Sequence, residues 1–96
     1  MDETTKQKLV EIINKNERLQ EYGLDEDYAQ DFVETADTVE DFKTGAHSWA
    51  NDRSCPVDAN DGVYHLQNHQ YVKGDERNDL FIIDLGDKRY AYKFKG

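Results

Sequence analysis

The apolar residues of this chain change period part-way along it. Through residue 50 they recur every three or four positions, and after residue 62 they alternate or run together. A stripe at period 3.6 belongs to a helix with one buried face, and period 2 belongs to a half-buried strand. Between the two patterns lies Asn51 to Gly62 (NDRSCPVDANDG), where Pro56 stops a helix and the Asn, Asp and Gly residues favour turns. The expectation is an α+β fold, with two N-terminal helices packed on one face of a C-terminal three- or four-stranded antiparallel sheet. At 96 residues the chain reads as a single domain, with a helical half (1–50), a turn-rich joint (51–62) and an antiparallel strand meander (63–96).

The first helix is expected from about Glu3 to Tyr22. Thr4 or Thr5 can cap it, and Leu9, Ile12, Ile13, Leu19 and Tyr22 form one stripe, interrupted by Asn16. Gly23 suits a left-handed cap at its end. The second helix is expected from Asp25, as N-cap, to about Ala50. Tyr28, Phe32, Ala36, Val39, Phe42, Ala46 and Trp49 project within about 140° of arc at 100° per residue. Gly45 can divide this segment.

In the second half, Val63 to Gln67 and Gln70 to Val72 read as two strands around Asn68-His69, or as one bent strand. Gly74 to Asp79 is a turn, Leu80 to Leu85 a strongly apolar strand, and Lys88 to Phe94 its return across a Gly86-Asp87 hairpin. Six tyrosines, four phenylalanines and one tryptophan let a chain with few aliphatics fill a modest core.

The second helical stripe carries the strongest functional signal. Asp25, Glu26, Asp27, Asp31, Glu34, Asp37, Glu40 and Asp41 are eight acids with no base among them, and after Arg18 the next base is Lys43. Five of them, Asp27, Asp31, Glu34, Asp37 and Asp41, fall opposite the apolar arc. Solvated helix faces usually mix signs, because Glu–Lys pairs one turn apart are favourable and like pairs are not. The negative charge is also localised. Residues 1–62 hold 16 acids and 6 bases, while residues 63–96 hold 5 and 6. Such a field repels nucleic acid and anionic membrane and draws in basic surfaces. On a continuous helix, eight carboxylates over about 25 Å would reach roughly half the linear charge density of duplex DNA. The plain alternative is a solvated acidic face.

Other constellations are weaker. His47, Cys55, His65 and His69 are residue types that bind zinc, but their spacing matches no zinc signature. Cys55 has acids nearby at Asp52 and Asp58, which disfavour a thiolate nucleophile. Asp58 to Gly62 lacks the glycine position and the closing Glu of a calcium loop and reads as an Asx-rich turn. The strand aromatics Tyr64, Tyr71, Phe81, Tyr90, Tyr92 and Phe94 lack the surrounding bases of an RNA-binding sheet and read as packing. The single cysteine, together with the absence of an apolar signal segment or of an 18-residue apolar run, leads to an expected cytoplasmic location.

The acidic composition and the Asp25–Asp41 face resemble those of small acidic inhibitors, among them phage-encoded anti-restriction and anti-CRISPR proteins that imitate nucleic acid. The resemblance implies a basic, nucleic-acid-binding protein as partner. The expectation is therefore a non-enzymatic binding protein without metal or cofactor, with Asp27, Asp31, Glu34, Asp37, Glu40 and Asp41 as its partner-binding residues. An antitoxin or immunity-type module using the sheet is the alternative. A small metal protein or enzyme built on His47, Cys55, His65 and His69 is a remote third.

Overall fold

A computed structural model describes residues 2–44, 57–70 and 77–94, with backbone alone at 57, 68–70 and 77–78. The described residues form helices followed by a five-stranded sheet, the α+β class that the change of period requires. They divide into two compact units, Met1–Val33 and Glu34–Gly96. No helix among the described residues is long and apolar enough to cross a membrane.

In the first unit the expected single helix is two. Helix α1 spans Glu3–Lys15 and α2 spans Glu17–Glu21. The cap of α1 is Asp2, not Thr4 or Thr5: its carboxylate accepts the Thr5 N–H at 2.7 Å. Asn16 makes the break. Its N–H closes α1 on the Ile12 carbonyl, and its side chain accepts the Leu19 N–H at 3.0 Å to open α2. Asn competes well for backbone groups, which explains why this stripe interruption is a helix boundary. Asn16 is buried, as are Leu9, Ile13 and Leu19. Gly23 ends α2 at φ +77°. The Leu24 N–H donates to the Leu19 carbonyl and the Gly23 N–H to that of Gln20, the paired bonds of a Schellman cap.

The expected helix from Asp25 to Ala50 is not continuous. Asp25 does cap a helical segment, accepting the Asp27 N–H at 2.9 Å, but that segment is the short 3₁₀ helix Glu26–Asp31. Strand β1 (Val33–Thr35) and helix α3 (Val39–Thr44) follow. Two forces break the longer helix. Asp27–Asp31, Asp31–Glu34 and Asp37–Asp41 would each stack like charges one turn apart. Thr35 and Thr38 also offer the backbone local partners: Thr38 and Asp41 exchange side-chain-to-backbone hydrogen bonds at 2.9 and 3.0 Å, a capping box that starts α3. Gly45, Ala46 and Trp49 lie outside the described residues.

In the second unit the strand order is β1-β5-β4-β3-β2, with β2 (Val57–Asn60), β3 (Val63–Gln70), β4 (Arg77–Asp84) and β5 (Arg89–Phe94) paired antiparallel in succession. The sheet thus exceeds the expected three or four strands, gaining β1 from the acidic run and β2 from the stretch read as turn chemistry. Asp61 (φ +48°) and Gly62 (φ +81°) join β2 to β3. Two consecutive positive φ values make the type I′ turn that fits strand twist. Strand β3 is one strand with a register shift between Leu66 and His69, where a turn at Asn68-His69 was one option. Gly86, at φ +97°, supplies the positive φ of the β4–β5 hairpin.

The register separates two faces. Phe42 of α3 packs with Leu66, Leu80, Ile82 and Ala91, with Tyr64 beside them. Val63, His65, Phe81, Ile83 and Tyr90 are buried on the opposite face. Strand β4 is therefore buried on both sides from Leu80 to Ile83.

Candidate functional site

The six acids expected to bind a partner are distributed over different elements. Asp27 and Asp31 lie on the 3₁₀ segment, in the first unit. Glu34 is on β1, Asp37 in the connection after it, and Glu40 and Asp41 on α3, all in the second unit. They are not one helix face.

They also differ in what their carboxylates hold. Asp41 is half of the capping box of α3. The Asp37 carboxylate accepts the Thr35 hydroxyl at 3.3 Å, while its own N–H donates to that hydroxyl at 3.1 Å. Arg89 clamps the same connection from β5, donating from Nε to the Asp37 carbonyl at 2.7 Å and from Nη2 to the Ala36 carbonyl at 3.3 Å. Glu34 accepts the Tyr90 hydroxyl at 3.3 Å and lies 4.0 Å from the Lys88 ammonium. That pair is largely exposed and contributes little to stability.

Asp27, Asp31 and Glu40 are of another kind. Their side chains are exposed and make no hydrogen bond or ion pair among the described residues. Glu26 belongs with them, although helical phase did not select it. Phase was the wrong guide, because the segment is 3₁₀ and too short to bury a stripe; the signal was its place right after the cap Asp25. Glu26 and Asp27 form one wall of a shallow, open groove of about 240 Å³ between the 3₁₀ segment and α1, with Lys6, Val10 and Gln30 completing it.

The charge arithmetic changes with the geometry. Six 3₁₀ residues span about 12 Å at about 2.0 Å each. Glu26, Asp27 and Asp31 place three carboxylates there. A duplex shows about seven phosphates over that length and one of its strands about half as many. The segment therefore carries close to the linear charge of a single strand.

Comparison of the chain with protein-family models, curated proteins and solved structures gives no match.

The histidine and cysteine set is only partly described. His47 and Cys55 lie outside the described residues, as does the side chain of His69. His65 is 1% exposed on β3, stacked on Phe81 with ring centroids 4.4 Å apart and planes 14° from parallel. Its Nε2 is 3.2 Å from an Asp79 carboxylate oxygen on β4. Asp58 is its cross-strand neighbour on β2 and accepts the Gln67 amide at 2.8 Å. Of the strand aromatics, Phe81 and Tyr90 are buried, Tyr64, Tyr92 and Phe94 are half-buried, and Tyr71 lies outside the described residues.

Proposed function

We propose that this chain is a non-enzymatic acidic binding protein whose exposed carboxylates dock into a basic groove of a nucleic-acid-binding protein and compete with its nucleic acid. The observation that carries this reading is the division of labour among the acids. Asp2, Asp25, Asp37 and Asp41 hold turns and helix ends. The side chains of Glu26, Asp27, Asp31 and Glu40 make no hydrogen bond or ion pair among the described residues, so beyond the small preference of a helix's first turn for acids no partner there accounts for their charge. Clustered like charge costs a little stability, and a basic surface would return that energy as salt-sensitive attraction. The docking residues are accordingly Glu26, Asp27 and Asp31, all on the 3₁₀ segment of the first unit.

The test is capture of basic nucleic-acid-binding proteins from a cell lysate by the immobilised chain, with duplex DNA as competitor. Capture should weaken steeply as salt rises, yield to the competitor, and drop in the variant Glu26→Gln/Asp27→Asn/Asp31→Asn. Capture of the same proteins by that variant at undiminished affinity would overturn the proposal.

A second reading, an antitoxin or immunity-type module that uses the sheet, is supported by Val33, which is 56% exposed at the start of edge strand β1. Edge strands are ready templates for another chain. Hydrogen-exchange protection on partner binding separates the two: amides 26–31 for the acidic surface, amides of the edge strands for the sheet.

A further inference from the structure

We draw no further inference here: the strongest candidate, the shallow groove between α1 and the 3₁₀ segment with Glu26 and Asp27 on one wall and Lys6 on the other, is an acidic cluster inside the surface already described, and no second observation points to what would fill it.

Discussion

Removing the charge of Glu26, Asp27 and Asp31 is expected to leave the fold intact. The variant Glu26→Gln/Asp27→Asn/Asp31→Asn keeps side-chain shape and deletes three of the negative charges behind the net −9. Two small effects oppose each other. Relief of repulsion between neighbouring carboxylates stabilises by a few tenths of a kcal/mol per pair. Loss of Glu26 and Asp27 from the first turn, where the positive end of the helix dipole favours acids, costs about 0.3–1 kcal/mol each at low salt. The dipole of a six-residue segment sits at the low end of that range, so the net change should fall within about 0.5 kcal/mol of zero. Asp25→Ala is the contrast. It removes the side chain that accepts the Asp27 N–H and should cost about 1 kcal/mol, or about 4–8 °C in Tm for a chain of this size. Urea unfolding followed by circular dichroism, at 0.1 M and 1 M salt, reads both. The Debye length falls from about 10 Å to about 3 Å between those conditions. Any residual effect of the triple variant should fade, and the Asp25→Ala loss should persist. A loss above about 1.5 kcal/mol in the triple variant would refute the claim that these carboxylates hold nothing among the described residues.

Phe42→Ala should destabilise by about 3–5 kcal/mol, because Phe42 is 1% exposed and fills the space over Leu66, Leu80, Ile82 and Ala91; thermal unfolding measures it. Arg89→Met removes both donors to the 36–37 carbonyls and should cost about 1–3 kcal/mol, with amide exchange accelerating first in residues 35–38. Asp79→Asn and His65→Leu should couple, since the two side chains lie 3.2 Å apart with His65 buried. A double-mutant cycle is expected to return about 0.5–3 kcal/mol, and strict additivity would refute the coupling.

The α+β class was legible because the change of hydrophobic period was legible. The β4–β5 hairpin was legible too, since Gly86-Asp87 lies between an apolar run and an alternating one. Much of the rest was present in the sequence as chemistry that periodicity outranked. Asp61-Gly62 is a hairpin dipeptide, and it marks β2, whose Val57-Asp58-Ala59-Asn60 alternation is only four residues long and lies inside a stretch of turn residues. Thr38 and Asp41 have the spacing of a capping box, which puts a helix start inside a stretch that projects as one long helix. Asn16 is a cap for the same reason. The acidic run was correctly located but wrongly shaped: seven apolar residues at helical spacing fitted a helix, yet β-branched Val33 and Thr35 and the stacked acids favour an extended segment there. The caps at Asp25 and Asp41 were legible, but the tie that holds Glu34 was not. It depends on Tyr90 and Lys88, more than fifty residues away in sequence.

Strand β4 has a consequence for the chain before it is folded. Leu80-Phe81-Ile82-Ile83 is buried on both faces only once its neighbours are in place. Until β3 and β5 pair with it, the same four residues form an exposed apolar β-forming segment, the kind that stacks between molecules. Asp79 and Asp84 bracket it on either side. In an intermolecular stack with strands about 4.7 Å apart, each would sit against its own copy in the next chain, charge on charge. Besides their places on β4 in the native sheet, these two aspartates would act as gatekeepers that make misassembly through the most apolar part of the sequence unfavourable.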